Sequence, residues 1–103
     1  MVDSIHVESS RAARADRDRS LATLSAVADP VRWTVLQRLS DGRACVCDLQ
    51  EITGVAPNLL SYHLKVLREA HLVTTSRRGR WVDYELAEDA AARLHAGLPV
   101  EQT

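Results

Sequence analysis

The sequence predicts a mainly α-helical domain with one β-hairpin, which places it in the α+β class. Apolar residues recur at helical spacing along most of the chain. The run "LVTTSRRGRWVDYEL" reads as two strands of β-branched and aromatic residues around a turn at Arg78-Gly79. The length of 103 residues allows one modest core and is too short for two.

The first two helices are marked by their N-terminal residues. An Ala- and Arg-rich helix is expected to begin at Ser9 or Ser10, because either serine can cap it, and to continue to Val27. Asp29 caps a second helix and Pro30 takes its first position, where the missing N–H of proline costs nothing. Residues 1–8 are expected to be disordered, 9–97 to form the domain, and 98–103 to be a C-terminal tail.

Two further helices flank a tight turn at Gly54. The first is short, about residues 46–53, and the second runs from Pro57 to about Ala70. A last helix is expected at about 88–96, after the hairpin. The order of helix, helix, short helix, turn, helix, hairpin and helix is that of a winged helix-turn-helix.

The composition indicates an ordinary globular protein that remains in the cytoplasm. Hydrophobic residues make up 46% of the chain and charged residues 26%, and neither a secretory signal nor a membrane span is visible. Only 4% of the residues are aromatic and none is Phe, so the core is small. Domains of this size often gain stability by dimerising.

The helix beginning at Pro57 has two distinct faces. Its expected buried stripe consists of Leu60, Leu64 and Leu67. A second face holds side chains that can hydrogen-bond base edges or phosphates of double-stranded DNA: Asn58, Ser61, Tyr62 and Lys65. His63 lies between the faces and is expected to be a structural hydrogen bonder. A solvated surface helix is the plainer interpretation of the same pattern.

The hairpin tip concentrates positive charge on a chain whose formal net charge is only −1. Arg77, Arg78 and Arg80 are expected to contact a phosphate backbone or a minor groove beside the preceding helix. A charged tip can also be no more than a soluble surface. A winged helix that binds protein instead of DNA therefore remains an alternative.

Cys45 and Cys47 are the only cysteines, and they lie at the start of the short third helix. Reduced thiols are expected in the cytoplasm, which argues against a structural disulfide. On a regular helix, residues i and i+2 lie about 200° apart around the axis, so both sulfurs reach one ion only where the segment is extended or unwound. Metal binding, redox chemistry and plain burial all remain open; a thiol oxidoreductase is disfavoured because no βαβ pattern surrounds the pair.

Four segments of this chain resemble the ArsR/SmtB family of metal-responsive repressors over roughly residues 20–87: "ADPVRWTVLQRL", "CVCDL", "SYHLKVLREAHLV" and "RRGRWVDYEL". "CVCDL" resembles the arsenic- and antimony-sensing branch in particular. The resemblance implies a homodimer that represses a resistance operon and leaves its operator DNA when As(III) or Sb(III) binds Cys45 and Cys47. It also implies no permanently bound cofactor, with the first and last helices forming the dimer interface.

The chain departs from the family pattern at several positions, among them Asn58 and Leu59, which stand where Ser and Thr are frequent. Gln50 stands where relatives with three thiols have a third cysteine, so water, a small thiol or another residue would complete an arsenic site. Ala56 replaces the usual Ser or Thr cap of the recognition helix. Another soft ion such as Cd(II) or Pb(II), or a redox or persulfide signal, remains an alternative for the thiol pair.

Overall fold

The computed structural model describes residues 4–98, and its side chains over 10–96 and 98. The elements in chain order are α1 (Ser4–Val27), α2 (Pro30–Leu39), β1 (Ala44–Cys45), α3 (Val46–Thr53), α4 (Pro57–Glu69), β2 (Val73–Arg78), β3 (Trp81–Leu86) and α5 (Ala90–Gly97). A mainly helical domain with a β-hairpin wing is therefore confirmed.

The largest differences from the sequence prediction lie at the ends of elements. α1 begins at Ser4 and so extends into the 1–8 segment that was expected to be disordered. The hairpin turn consists of Gly79 and Arg80, one residue later than predicted, with Gly79 in the left-handed region at φ 58°. Residues 1–3 and 99–103, which include most of the predicted tail, lie outside the described residues.

The sheet has three antiparallel strands in the order β1-β3-β2. β1 has only two residues and was not predicted, because so short a strand leaves no alternating pattern in the sequence. Cys45 of β1 lies opposite Asp83 of β3, which in turn lies opposite Ser76 of β2. In the wing, Arg78 lies opposite Trp81 next to the turn.

The core is built mainly from leucine, alanine and valine, in line with the absence of Phe. Its completely buried members with the largest side chains are Val35, Leu49, Leu60, Leu67 and Leu72. They come from α2, α3, α4 and the loop before β2, so the helix-turn-helix and the base of the wing share one core. In the described part of the chain, no helix combines the length and apolar character needed to cross a membrane.

Arg32 fixes the positions of three helices relative to one another. Its Nε donates to the carbonyl of Ala26 at 2.6 Å, and Nη2 donates to that of Ser25 at 3.3 Å, both at the end of α1. Its Nη1 donates to Nδ1 of His63 on α4 at 2.9 Å. One α2 side chain therefore caps the C-terminus of α1 and holds α4.

The N-terminus of α2 depends on Asp29. The carboxylate oxygen Oδ1 accepts from the backbone N–H groups of Val31 at 2.8 Å and Arg32 at 3.1 Å. The hydrogen bond from the Arg32 backbone is the main reason that the pKa of Asp29 is lowered from its ordinary 3.8. The predicted cap is therefore confirmed.

We expect Asp29→Ala to lower the free energy of unfolding by about 1 kcal/mol, because two α2 donors lose their acceptor. Asp29→Asn keeps an acceptor and should lose less. Because the folded-state pKa is lowered, the charged form stabilises the fold at neutral pH, and this contribution disappears as the pH falls below 3.8 toward the folded-state value. Urea unfolding at pH 7 and pH 3 measures both effects. If wild type and Asp29→Asn differ in their free energy of unfolding by the same amount at both pH values, the carboxylate charge does not have the role assigned to it.

Candidate nucleic-acid interface and thiol site

α4 presents a polar face to solvent. The buried side chains on the other side of the helix are Leu60, His63, Leu64 and Leu67. The four side chains predicted to contact DNA are all exposed and share one face: Asn58, Ser61, Tyr62 and Lys65. Ala56 makes no side-chain cap hydrogen bond, so the free N–H groups of the first turn remain available to a phosphate. Whether these residues contact DNA remains a prediction.

His63 is structural, as the sequence predicted. It is only 6% exposed, and because Arg32 can only donate, Nδ1 of His63 must accept in their 2.9 Å hydrogen bond. Nδ1 also lies 3.8 Å from Oδ1 of Asp29. The edge of one ring meets the face of the other between His63 and the exposed Tyr62, with centroids 5.3 Å apart. His63 therefore anchors α4 to Arg32 and contacts Tyr62 of the exposed face.

The three arginines of the wing have different surroundings. Arg77 and Arg80 are exposed, and within the part of the chain whose side chains are described neither has an acidic partner. Arg78 instead forms a two-point pair with Asp83, Nε to Oδ2 at 2.5 Å and Nη2 to Oδ1 at 3.0 Å. Two of the three arginines are thus free to meet phosphates, whereas the charge of Arg78 is compensated within the wing.

Asp83 is a buried carboxylate that the sequence prediction did not include. It is 2% exposed, and the hydrogen bonds from Arg78 lower its pKa, with smaller contributions from the charges of Arg78 and Arg43. The same hydrogen bonds raise the pKa of Arg78. Nε of Arg43 lies 3.9 Å from Oδ2 of Asp83. An acidic residue five positions after an arginine across a hairpin turn was the available signal.

Two exposed apolar residues border these polar surfaces and were not among the predicted site residues. Leu59 is 44% exposed in the first turn of α4, and Trp81 is 55% exposed next to the wing turn. The helical wheel places Leu59 at the margin of the polar face. Apolar side chains at such positions can contact thymine methyl groups or sugars.

The two cysteine sulfurs are joined as a disulfide in the structure, contrary to the expectation of free thiols. Cys45 is the N-cap of α3 in an extended conformation, at φ −81° and ψ 164°, and only Cys47 lies within the helix. This extended residue resolves the angular problem of a Cys-x-Cys helix, because the sulfurs meet without unwinding α3. Sγ of Cys45 also accepts from the backbone N–H of Asp48 at 3.3 Å.

A third donor lies beside the sulfurs. One ligand atom from each of Cys45, Cys47 and Asp48 lies within 4.8 Å of the other two. Cys47 and Asp48 are exposed and Cys45 is half-buried, so solvent reaches the group. Two thiolates and one carboxylate, available after the disulfide is reduced, suit a soft or borderline ion that accepts three ligands.

These features define a class of protein: a winged helix-turn-helix domain with a basic wing and a cysteine pair at the start of α3. Residues 29–75 match the family model described as bacterial regulatory protein, arsR family. Over 80 residues, 78% of this chain and 77% of that protein, the chain is 34% identical to the arsenical resistance operon repressor of Staphylococcus xylosus. The chain belongs to the ArsR family of bacterial regulatory proteins, and the expectation that it is not an enzyme is confirmed.

Two further comparisons agree with this family. The chain is 43% identical over 65 residues to the arsenical resistance operon repressor of Bacillus subtilis, of whose length it spans about three fifths (62%). A homodimeric winged helix-turn-helix DNA-binding domain from Mycobacterium bovis, a possible ArsR-family transcriptional regulator, superposes with a TM-score of 0.70 and 28% identity. That superposition covers 82% of this chain and 78% of the other.

The different surroundings of the wing arginines lead to a stability prediction. Arg78→Ala should lower the urea midpoint, because it leaves the buried carboxylate of Asp83 without its main partner. Arg80→Ala removes the same charge two residues away and should leave the midpoint unchanged. Equal midpoints for the two variants would show that the Arg78–Asp83 pair does not stabilise the wing.

Proposed function

We propose that this protein is a transcriptional repressor that binds operator DNA as a homodimer and releases it when As(III) or Sb(III) binds Cys45 and Cys47. The observation that carries the proposal is that the cysteine pair lies at the start of α3, a helix that shares one core with α4 and the base of the wing. α3 begins at the cysteines, and its buried Leu49 packs in the same core as Leu60 of α4. A change at the cysteines therefore acts on the support of the recognition helix.

DNA recognition is assigned to two surfaces. The exposed face of α4 has the dimensions and hydrogen-bonding groups that a major groove accepts. Arg77 and Arg80, which have free charges, supply the phosphate contacts of the wing. Arg78 contributes to these contacts less directly, because its guanidinium is held by Asp83.

Dimerisation is assigned to α1 and α5, which pack against each other within the chain. Leu21 on α1 is 56% exposed, and Leu98 at the end of α5 is 44% exposed, although large apolar side chains are usually covered. A second copy would cover them. The two-fold symmetry of such a dimer would match a palindromic operator in the cytoplasm.

The inducer would occupy the group formed by Cys45, Cys47 and Asp48. The chain offers only two sulfurs, so we assign the third position to the carboxylate of Asp48, which already lies beside them. Two molecules of a small thiol must first reduce the disulfide by thiol–disulfide exchange, which yields the two protein thiols and one small-molecule disulfide. Cd(II) and Pb(II) could use the same donors, and their order of preference is left to titration.

The disulfide itself favours a second candidate function, in which the thiol pair senses oxidants. Peroxide or polysulfide would accept two electrons as the thiols lose two protons and form the sulfur–sulfur bond seen here. DNA binding would then differ between the reduced and disulfide forms. Titration of the protein–DNA complex with arsenite under reducing conditions, and separately with peroxide or polysulfide, distinguishes the two inducers.

We expect the Cys45→Ser/Cys47→Ser double variant to bind operator DNA like the wild type and to remain bound at arsenite concentrations that release the wild type. Fluorescence anisotropy on a promoter fragment measures both quantities. Asp48→Asn should weaken the arsenite response, whereas Glu51→Gln, which removes a charge from the same helix, should leave it unchanged. Release of the double variant by arsenite at the wild-type concentration would rule out the site.

The two DNA surfaces should respond differently to substitution. Tyr62→Ala should weaken operator binding by about 1–3 kcal/mol and reduce the preference for operator over random DNA. Arg77→Ala should weaken binding to both sequences alike and reduce the salt slope by about one. Arg14→Ala, on the exposed surface of α1, is the control for loss of charge. If Arg77→Ala and Arg14→Ala show the same salt slope as the wild type, the wing does not contact phosphates.

A further inference from the structure

The thiol segment and the wing meet on one face of the sheet. Because directly opposed residues in an antiparallel sheet share a face, the side chains of Cys45 and Asp83 lie side by side across β1 and β3. The pair Arg78 and Trp81 lies on that same face, because Trp81 precedes Asp83 by two positions in β3. Cys45 is thus connected to the wing tip through one neighbouring residue.

That neighbouring residue is held from both directions by charge. Arg78 on the wing side binds both carboxylate oxygens of Asp83, and Arg43 on the thiol side lies 3.9 Å from Oδ2. Arg43 directly precedes β1, the strand that ends at Cys45. Asp83 is 2% exposed, so water offers its carboxylate little alternative to these partners.

We infer that Asp83 is a positioning residue that transmits the state of the cysteine pair to Arg78 and so to the DNA-contacting wing. This inference rests on the proposed function and adds the route by which the thiol site regulates DNA binding. β1 has only two residues, so a change in bonding at Cys45 can displace it. Displacement of β1 moves both Arg43 and Cys45, the residue that lies opposite Asp83. The carboxylate must then shift, and Arg78 shifts with it.

Trp81 allows this transmission to be measured without DNA. The chain contains two tryptophans, so Trp33→Phe leaves Trp81 as the only one. Trp81 lies opposite Arg78 and is 55% exposed, which makes its emission sensitive to the position of that side chain. The experiment compares Trp81 emission and acrylamide quenching in three states of this variant: reduced, reduced with stoichiometric arsenite, and disulfide.

We expect Trp81 emission to change between at least two of these states, and Asp83→Asn to reduce the change by about fivefold or more. Glu85→Gln is the matched control, because it removes the same charge from an exposed position of β3 and should keep the full response. Arsenite binding, followed by loss of titratable thiols, should be unaltered in both variants. The ratio of operator affinities with and without inducer should fall toward one in Asp83→Asn only.

The other possible results decide between the route through Asp83 and the arsenite proposal. A full Trp81 response in Asp83→Asn overturns the route through Asp83, and so does an unchanged Trp81 in the parent protein across all three states. If Asp83→Asn does not fold, Arg43→Gln tests the thiol side alone and should reduce the response while Arg78 stays paired. If the parent keeps its DNA in the presence of arsenite but Trp81 still responds to oxidation, the arsenite proposal fails and the route through Asp83 stands.

Discussion

The arrangement of the domain depends on the guanidinium of Arg32. It donates to a carbonyl near the end of α1 and to the buried imidazole of His63 on α4. Arg32 itself lies in the first turn of α2, which Asp29 caps. These contacts join three helices at one polar point beside a mainly aliphatic core. The exposed face of α4 is consequently fixed relative to α1, the helix assigned to dimerisation. Spacing between two recognition helices in a dimer would be set through this point.

Cys45 occupies three roles that are usually separate. It is the last residue of β1, the N-cap of α3, and one half of the cysteine pair. Its extended backbone lets its sulfur meet that of Cys47, and its Sγ accepts the N–H of Asp48 that a cap would otherwise accept through oxygen. An ion that binds Cys45 therefore competes with the cap of α3. The same sulfur atom, Sγ of Cys45, therefore takes part in thiol chemistry and caps the N-terminus of α3.

Local signals in the sequence were sufficient for the middle of the chain. Asp29 followed by proline, and Gly54 at φ 67° as the C-cap of α3, have conformational requirements that do not depend on distant residues. The spacing of Arg78 and Asp83 across the turn was visible in the sequence, but their ion pair also depends on the register of the hairpin and on the burial supplied by neighbouring strands. The disulfide required the extended conformation of Cys45, which comes from pairing with β3. Polar contacts across the sheet were therefore the part that sequence reasoning missed.

The register of the wing also limits how relatives of this protein can vary. Arg77 and Arg78 lie on opposite faces of β2, so one meets solvent and the other meets a buried carboxylate. An insertion or deletion of one residue before them would exchange those environments and leave the carboxylate facing the wrong side chain. Changes of two residues preserve both faces. Viable wings in this lineage should therefore differ in strand length by even numbers.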